Sequence, residues 1–303
     1  MSVCVLGSIN LDIVASVDRL PQAGETVIAQ RVELFPGGKG ANQATAAARM
    51  GADTMMIGAV GADDSGARMR ATLESVGVNT KHIKTLVSHP TGQAYINVAA
   101  SGENSIVVAA GANHAVTPDL IATDALSGCK VFLAQLEVPL STIEALFQSE
   151  PAQRGTTILN AAPAHAAAAN IFPLASILVV NETELASYAG LKEIPTQSDA
   201  VIAAARRLIC REGQTIVVTL GAQGAIAVNT AHDQIIPGRT SQVMDTTGAG
   251  DCFCGVLAAT LAADRTLEQA MKLAVTAASL SVERAGASTS MPTRAEVESL
   301  MAT

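Results

Sequence analysis

The sequence predicts a three-layer α/β/α fold, in which a mainly parallel sheet lies between two layers of helices, with a small antiparallel β lid. Short apolar runs alternate with longer helix-like stretches, as in repeated strand-helix units. The apolar runs are nearly continuous, which is typical of strands buried on both faces. No linker rich in Pro, Gly or Ser divides the 303 residues, so we expect one domain spanning 1–303.

The predicted elements extend along the whole chain. The strands are Val3–Leu6, Thr54–Ala59, Lys130–Ala134, Thr156–Leu159, Ile177–Val180 and Thr215–Leu220. The helices are Ala41–Met50, Asp64–Val76, Leu140–Gln148, Glu182–Tyr188, Ala200–Arg211, Ala249–Ala263 and Leu267–Val282. Ligands of parallel sheets bind where the strands end, so motifs that follow these strands are candidate functional residues.

Two segments interrupt this alternation of strands and helices. One is Thr26–Leu34, and the other consists of Gln93–Val98 and Ser105–Val108, whose connection includes the turn formers Ser101–Asn104. Both segments have the pattern of antiparallel strands, and the second has that of a hairpin. We expect a separate lid sheet, formed by about 13–35 and 92–110, that covers the active site or meets a second subunit.

The composition excludes several kinds of partner. A net charge of −8 without any Lys/Arg cluster argues against nucleic acid and anionic membranes. The uncharged stretch Gly155–Asn181 is divided by Pro163 and Pro173 into pieces shorter than the roughly 20 apolar residues of a membrane-spanning helix. Five scattered cysteines indicate reduced thiols, and the N-terminus lacks the pattern of a secretion signal, so we expect a cytoplasmic protein.

A glycine-rich turn at Asp245–Asp251 directly precedes an apolar helix. Gly248 and Gly250 let the backbone approach a ligand, and the N–H groups at a helix start, with the positive end of the helix dipole, bind anions. Asp251 opposes simple phosphate binding but suits a base that deprotonates a hydroxyl attacking a neighbouring phosphorus. The alternative is an ordinary turn, because aspartate is favoured at helix N-termini.

Another glycine-rich turn, Pro36–Gln43, comes first along the chain and opens an alanine-rich helix. It is not a Walker loop, because Gly40 follows Lys39 where Ser or Thr would be needed to bind magnesium. A glycine-lined turn that presents Lys39 and Asn42 suits a hydroxyl-rich ligand, which needs close backbone approach and several hydrogen-bond partners. A plain loop that caps a helix is the alternative.

Three further segments follow predicted strands. Asn10 and Asp12 alternate, so they face the same side and can bind vicinal hydroxyls, although both residue types are also common turn formers. Asn181 and Glu184 suit an N-cap with its capping-box partner, or else Glu184 lies near a magnesium ion and binds it through water. Glycines in Thr219–Gly224 allow a nucleotide to lie close to the backbone, but this spacing alone is uninformative.

Taken in order, these motifs resemble the ribokinase-like carbohydrate kinases of the phosphofructokinase-B group, and within it the ribokinases most closely. The resemblance runs from end to end. It rests on G-S-I-N-x-D at 7–12, G-G-K-G-A-N-Q-A at 37–44, T-G-x-A at 91–94, Q-L-E at 135–137, N-E-T-E at 181–184 and D-T-T-G-A-G-D at 245–251.

The resemblance implies an ATP-dependent kinase that phosphorylates the terminal primary hydroxyl of a pentose, with D-ribose giving D-ribose 5-phosphate. Asp251 is then the base, and Gly248, Ala249 and Gly250 complete the anion cradle. The residues implied for the sugar are Asn10, Asp12, Gly38, Lys39, Asn42, Glu137 and Asp251. Those implied for ATP are Asn181, Thr219, Gly221, Gln223, Gly224 and Gly250.

Metal ions and a second subunit are also expected. Besides ATP as co-substrate, these kinases use Mg²⁺, for which Glu184 is the candidate, and a monovalent cation, usually K⁺. The resemblance puts K⁺ among backbone carbonyls around Asp245, Thr247, Ser281, Arg284, Gly286 and Ser290. It also implies that the lid forms a homodimer interface.

The chain departs from the family pattern at three positions. Leu11 stands where these kinases commonly have a small residue and Pro36 where an aromatic residue is frequent, both near the sugar. Val275 stands where relatives often carry Asn or His near the nucleotide. Because of these differences, 2-deoxyribose and other small sugars remain alternatives to ribose.

Other functions fit the sequence less well. A nucleoside kinase usually holds the base by aromatic stacking, and this chain has no Trp, two Tyr and five Phe. Asp251, Lys39 and Gly250 are intact, which argues against a non-catalytic sugar sensor. The fingerprint glycines of an NAD-dependent oxidoreductase are missing.

Overall fold

The computed structural model describes residues 2–302 and contains two sheets. The strands are β1 (Ser2–Leu6), β2 (Asn10–Val17), β3 (Arg31–Gly37), β4 (Asp53–Gly61), β5 (Asn79–Leu86), β6 (Gly92–Ala99), β7 (Asn104–Ala109), β8 (Val131–Gln135), β9 (Thr156–Asn160), β10 (Ile177–Asn181), β11 (Thr215–Thr219), β12 (Gly224–Val228) and β13 (Asp233–Pro237). The helices are α1 (Lys39–Arg49), α2 (Asp64–Ser75), α3 (Thr123–Leu126), α4 (Leu140–Gln148), α5 (Glu150–Arg154), α6 (Glu182–Tyr188), α7 (Ser198–Arg206), α8 (Ala249–Ala262), α9 (Leu267–Ser281) and α10 (Arg294–Met301).

The larger sheet has nine strands and is parallel over most of its width. Its order is β13-β12-β11-β10-β9-β8-β1-β4-β5, with antiparallel pairing between β11 and β12 and between β12 and β13. β1 lies inside the sheet, because Val3 is in register with Val131 of β8 on one side and Thr54 of β4 on the other. Residues that follow the parallel strands β1, β8, β10 and β11 therefore meet along one edge of the sheet.

Helices cover both faces of this sheet, so the predicted α/β/α layers are confirmed. The hydrophobic core on one face includes α1, α8 and α9, and the core on the other includes α4, α6 and α7. α1 and α8 pack closely at Gly255, where a Cβ atom would lie 2.3 Å from the carbonyl oxygen of Gln43. Gly255 lies one turn after Asp251, so this contact brings Asp251 beside Gln43.

The lid is a separate four-stranded sheet of order β3-β2-β6-β7, as expected, and its predicted β6–β7 hairpin is confirmed. β2 and β3 are also antiparallel, whereas β2 and β6 pair in parallel in the middle of the lid. The strand expected at Thr26–Leu34 instead spans Arg31–Gly37, since pairing with β2 begins at Ser16 and Arg31. The lid strand β2 begins at Asn10, earlier than the expected position near 13.

Several other elements differ from the sequence prediction. Strands β5, β12 and β13 and helix α10 were not predicted. α7 ends at Arg206 rather than at Arg211, because the N–H of Cys210 donates to Oε1 of buried Gln214 at 2.8 Å instead of continuing the helix. Between residues 2 and 302, no helix combines the length and apolar character that crossing a membrane requires.

Candidate active site

Asp251 lies in the first turn of α8, at the end of the second glycine-rich turn. Gly248 is the N-cap with a φ of 76°, in the left-handed region that favours glycine. A Cβ atom on Gly250 would meet nothing within 4 Å. Within residues 2–302, the N–H groups of Gly250 and Asp251 have no protein acceptor. The start of α8 therefore offers unpaired N–H groups and the positive end of the helix dipole to a ligand.

The carboxylate of Asp251 is held at both oxygens by amides of α1. Oδ2 accepts a hydrogen bond from Nδ2 of Asn42 at 2.9 Å, and Oδ1 accepts one from Nε2 of Gln43 at 2.9 Å. Asp251 is only 6% exposed, so its charge lies in the interior with these two donors. The oxygen Oδ1 of Asn42 is buried and has no protein partner among the described residues, which leaves it as an acceptor for a ligand.

Two more amides extend this arrangement. Nε2 of Gln43 also donates to Oδ1 of Asn160 at 3.0 Å, and Nε2 of Gln135 donates to Oε1 of Gln43 at 2.7 Å. Gln135 is the last residue of β8 and Asn160 the last of β9, so the ends of two neighbouring parallel strands deliver both side chains. The result is a buried hydrogen-bonded chain that ends on Asp251.

Lys39 and Glu137 meet beside the first glycine-rich turn. The backbone N–H of Lys39 donates to Oε2 of Glu137 at 3.3 Å, and the hydroxyl of Ser8 donates to the same oxygen at 2.5 Å. The carboxylate of Asp251 raises the pKa of the Lys39 ammonium, although burial acts in the opposite direction. Lys39 therefore carries its charge next to Asp251, as a phosphoryl-transfer site requires.

Asn10 and Asp12 lie on β2 with one residue between them, so they share one face of the lid, as predicted. Oδ1 of Asn10 accepts a hydrogen bond from Nδ2 of buried Asn113 at 2.7 Å. Burial, followed by repulsion from Glu137 and Asp251, raises the pKa of Asp12 to about 7. These three carboxylates therefore face one polar space.

Two adjoining cavities open at the start of α8. The smaller, of about 190 Å³, is lined by Lys39, Asn160, Ala162, Val179, Asn181, Glu184, Thr219, Thr246, Gly248, Ala249, Gly250, Asp251 and Cys254. The larger, of about 500 Å³, has polar lining from Thr219, Gly221, Gly224 and Thr246 and apolar lining from Val243, Phe253, Val275 and Val282. Thr219, Thr246, Ala249 and Gly250 line both. The larger cavity has the size of a small-molecule site.

Asn181 and Glu184 form the predicted capping box at the start of α6. Oδ1 of Asn181 accepts from the N–H of Glu184 at 2.8 Å, and Oε2 of Glu184 accepts from the N–H of Asn181 at 2.9 Å. Burial raises the pKa of Glu184, while the bond from Asn181 and the charge of Lys39 act against this. Both residues also line the smaller cavity, so the cap and a ligand-binding role are compatible.

The loop before α8 is joined to the loop after α9 through Asp245. Oδ1 of Asp245 accepts from the N–H and the hydroxyl of Thr247 at 2.9 and 2.6 Å, and Oδ2 accepts from the N–H of Gly286 at 2.8 Å. Burial raises the pKa of Asp245, but these bonds outweigh it and hold the pKa below its usual value. Ser281 and Ser290, which stand on either side of Gly286 in the sequence, are buried. The guanidinium of Arg284 pairs with the carboxylate of Glu296.

Three positions that the sequence placed near a ligand, Leu11, Pro36 and Gln223, do not border the site. Leu11 is 5% exposed and packs in the core, on the opposite face of β2 from Asn10 and Asp12, so it does not border the polar site. Pro36 is its cross-strand neighbour. Gln223 lies in the turn between β11 and β12 but does not line either cavity, whereas Val275 does line the larger one.

Sequence reasoning missed four buried polar residues: Gln43, Asn113, Gln135 and Asn160. Gln43 and Gln135 lie inside motifs that the sequence analysis used, so an amide next to a predicted functional residue was the available signal. Asn113 and Asn160 stand outside every such motif. Their contacts span 103 and 117 residues, a separation that local patterns do not encode.

The fold and site define a small-molecule phosphotransferase with a nucleotide-sized cavity beside a buried carboxylate. The sequence pattern of the pfkB family carbohydrate kinases matches residues 1–294, so the chain belongs to that family. The predicted class, an ATP-dependent carbohydrate kinase of the ribokinase-like group, is thereby confirmed.

Individual relatives agree with this family. Ribokinase of Haemophilus influenzae is 39% identical over 96% of this chain and 95% of its own length. Deoxyribokinase of Salmonella typhi is 34% identical, with 96% of each chain covered. The crystal structure of Thermotoga maritima ribokinase has a TM-score of 0.91 at 33% identity and full coverage of both chains. The structure of Arabidopsis thaliana ribokinase complexed with ribose and ATP has a TM-score of 0.89 at 28% identity, covering 100% of this chain and 99% of that one.

Proposed function

We propose that this protein transfers the γ-phosphoryl group of ATP to the terminal primary hydroxyl of D-ribose, giving D-ribose 5-phosphate and ADP. One observation carries the proposal: the buried carboxylate of Asp251 stands at the unpaired N–H groups of α8, between a polar space and a cavity of nucleotide size. The ribokinases among the relatives favour ribose as the acceptor.

The sugar is assigned to the space between the lid and α1. Sugar hydroxyls need acceptors, and the carboxylates of Asp12 and Glu137 and the unpaired Oδ1 of Asn42 supply them. Asn10, Gly38 and Lys39 complete the proposed set. Gly38 has a φ of 87°, and a Cβ atom there would lie 2.7 Å from the backbone nitrogen of Asn10, so glycine lets the turn approach β2.

Asp251 acts as the base in this proposal. The sugar oxygen forms a bond to the γ-phosphorus while the bond from that phosphorus to the bridging oxygen of ADP breaks, and the hydroxyl proton passes to Asp251. The unpaired N–H groups of Gly250 and Asp251, with the ammonium of Lys39, stabilise the charge on the transferring group, whereas the N–H of Ala249 donates to the carbonyl of Thr246 at 3.3 Å. Each such donor is typically worth about 10²–10³ in rate.

ATP is assigned to the larger cavity. Thr219, Gly221 and Gly224 line its polar side, and the glycines let a nucleotide lie against the backbone. Val243, Phe253, Val275 and Val282 provide an apolar surface for the base. Gly250 and Thr219 border both cavities, so the phosphates would extend toward Asp251, with Asn181 beside them. Gln223 stays in the proposed set because it supports the wall of this cavity. Its backbone carbonyl accepts a hydrogen bond from the N–H of Gly238, which lines the cavity.

Magnesium is proposed to bind near Glu184. Mg²⁺ prefers oxygen ligands and keeps several waters, and the Glu184 carboxylate lines the smaller cavity beside Asp251. When bound, the ion neutralises charge on the β- and γ-phosphates.

Potassium is proposed to bind at the two loops that Asp245 joins. The oxygens of Asp245, Thr247, Ser281, Arg284, Gly286 and Ser290 form the proposed set. The lowered pKa of Asp245 keeps a negative charge there, which suits a cation. When bound, the ion strengthens the field at the anion cradle.

The main alternative acceptor is 2-deoxyribose, which the deoxyribokinase among the relatives favours. The two sugars differ by one hydroxyl. A site built to hydrogen-bond a hydroxyl rejects the analogue that lacks it, because buried polar groups are then left unpaired. A nucleoside is a weaker alternative, since Phe253 is the only aromatic residue lining either of the two site cavities in the described chain.

The lid is proposed to form a homodimer interface. Its side chains Val32, Leu34, Tyr95, Ile106, Val107 and Val108 are between 41% and 64% exposed, and β3 and β7 are sheet edges. Exposed apolar edges pair with other chains unless they are covered.

Five free cysteines support a reducing, cytoplasmic location.

The proposal is tested by sugar-dependent ADP release from MgATP across ribose, 2-deoxyribose, fructose and adenosine, with and without potassium. Ribose turnover that potassium raises would support both the acceptor and the cation site. Turnover with 2-deoxyribose, fructose or adenosine in place of ribose would reject the acceptor. Silence with every compound would indicate a sugar sensor that has lost the chemistry.

A further inference from the structure

A chain of buried amides ends on the carboxylate of Asp251. Gln135 donates to Oε1 of Gln43, and Nε2 of Gln43 donates to Oδ1 of both Asp251 and Asn160, over distances of 2.7 to 3.0 Å. Gln43 and Gln135 are fully buried and Asn160 is 8% exposed. The chain therefore runs through the interior, from the end of β8 through α1 to the start of α8.

The chain of hydrogen bonds has a fixed direction. Because Oε1 of Gln43 accepts from Gln135, Nε2 of Gln43 must face Asp251 and Asn160. A half-turn of this amide would set its oxygen against two other oxygens and leave Gln135 without its acceptor. The two hydrogens of Nε2 serve the two acceptors, so the Gln43 amide is satisfied without any ligand.

We propose that Gln43 is a positioning residue for Asp251, and that Gln135 acts through Gln43 by locking the direction of its amide. This inference rests on the proposed role of Asp251 as the base. A base must present its free lone pair at the correct distance and angle, and a misplacement of about 1 Å can cost about 100-fold in rate. Asn42 and Gln43 each hold one carboxylate oxygen, so together they prevent rotation of the carboxylate.

Gln43 differs from Asn42 in what else it touches. Asn42 keeps a buried oxygen without a protein partner among the described residues, so it is available to the sugar as well as to Asp251. Both polar atoms of the Gln43 side chain are instead taken up inside the protein, by Asp251, Asn160 and Gln135, and the residue is fully buried. Loss of the Gln43 amide should therefore slow the chemical step without weakening the binding of either substrate. Loss of the Asn42 amide would affect both the chemical step and the binding of the sugar.

The alternative is that the two glutamines only pair with each other in the core, where Oε1 of Gln135 has no partner among the described residues. Substitution would then lower the melting temperature but leave the activity of each folded molecule unchanged. The test uses Gln43→Met, Gln135→Met and the double variant, because methionine keeps most of the volume and removes the donor without adding charge. Thr45→Val is the control, since Thr45 is buried in the same helix outside the amide chain.

Steady-state kinetics on the unaltered protein come first. Every variant is then assayed with the sugar that the unaltered protein phosphorylates. A failure of the proposed acceptor is thus seen before any variant is compared. For Gln43→Met we expect kcat to fall about 10- to 100-fold, with the KM of sugar and of MgATP within about twofold. The kcat of Gln135→Met should fall less, and the kcat and KM values of Thr45→Val should match those of the unaltered chain.

The double variant gives the sharpest result. If Gln135 acts only through Gln43, the double variant has the kcat of Gln43→Met, because nothing remains for Gln135 to orient. Losses that multiply, or a rise in KM at unchanged kcat, would overturn the proposal. Should Gln43→Met not fold, Gln135→Met decides alone: a lower kcat at constant KM supports the proposal, and an unchanged kcat overturns it.

Discussion

The two glycine-rich turns look alike in sequence, yet their backbones do different things. Each supplies a glycine N-cap with positive φ, 87° at Gly38 and 76° at Gly248, and neither helix has a side-chain cap. At the start of α1, the N–H groups of Lys39, Gly40 and Ala41 donate to Glu137 or to Ser8. In the part of the chain that the structure describes, no acceptor serves the corresponding groups of Gly250 and Asp251 at α8.

The space around the glycines differs in the same way. A Cβ atom on Gly40 would lie 2.6 Å from the carbonyl carbon of Gly7, whereas one on Gly250 would meet nothing within 4 Å. The first turn is closed by packing and presents side chains, and the second is open and presents its backbone. A glycine-rich turn before a helix therefore indicates an anion site only where the N–H groups are left unpaired.

Gly250→Ala tests the open turn and has the largest expected effect. The added methyl group enters the space that both cavities share, so we expect kcat/KM for MgATP and sugar to fall about 10²–10³-fold, as when a donor to the transferring group is lost. The melting temperature should stay the same or rise slightly, because alanine is the better helix former. Gly128→Ala is the control, since a Cβ there also meets nothing within 4 Å. Full activity of Gly250→Ala would contradict the comparison.

Gly40→Ala tests the closed turn and should act on stability. The methyl group would meet the backbone of Gly7 and Ser8 at 2.6 to 2.7 Å, and overpacking of this kind costs about 1–3 kcal/mol or more. We expect a lower free energy of unfolding in urea, with activity lost in proportion to the unfolded fraction. A protein that keeps its stability and loses only turnover would show that this turn, too, contacts the phosphates.

The smallest expected effect on activity is a pH dependence of the KM for sugar, which comes from Asp12 near the closed turn. Burial and the carboxylates of Glu137 and Asp251 raise the pKa of Asp12 to about 7, so Asp12 changes from acid to carboxylate between about pH 6 and 8. The carboxylate is the better acceptor, and the KM for sugar should therefore fall with rising pH, by up to about tenfold. Asp12→Asn should remove this dependence; a slope that persists would assign it to another group.

Linkage predicts the sign of the matching effect on stability. The folded state holds a proton on Asp12 that the unfolded state, with its ordinary pKa of 3.8, has already released. Between these two values the native state binds more protons, so the contribution of Asp12 to stability falls as pH rises from about 4 to 7. Urea unfolding of the unaltered chain and of Asp12→Asn over this range measures the difference.

The central strands and most of the helices could be predicted from the sequence, because buried parallel strands and helices leave strong local patterns. α4 and α6 begin and end where the pattern indicated. β5 was missed because it alternates exposed and buried residues at an edge and carries Lys81, His82 and Lys84. The lid strand β3 was displaced because its pairing partner, rather than its composition, fixes where it begins.

The site was predictable where its residues stand in motifs and not where they depend on distant contacts. Asp251, Lys39, Asn42 and Glu184 are brought to the start of α8, and the motifs named them. Gln43 stood in a motif without a role, since its partners Gln135 and Asp251 are 92 and 208 residues away. Leu11 was placed near the sugar by the family resemblance, although strand alternation turns it to the core.

The most direct test is turnover of D-ribose by Asp251→Asn. Asparagine keeps the size of the side chain but cannot take up the proton, and loss of a general base typically costs about 10²–10⁴ in rate. We predict that kcat falls by at least this factor while isothermal titration calorimetry shows MgATP bound with affinity close to that of the unaltered protein. Near-normal turnover of D-ribose by Asp251→Asn would contradict the account.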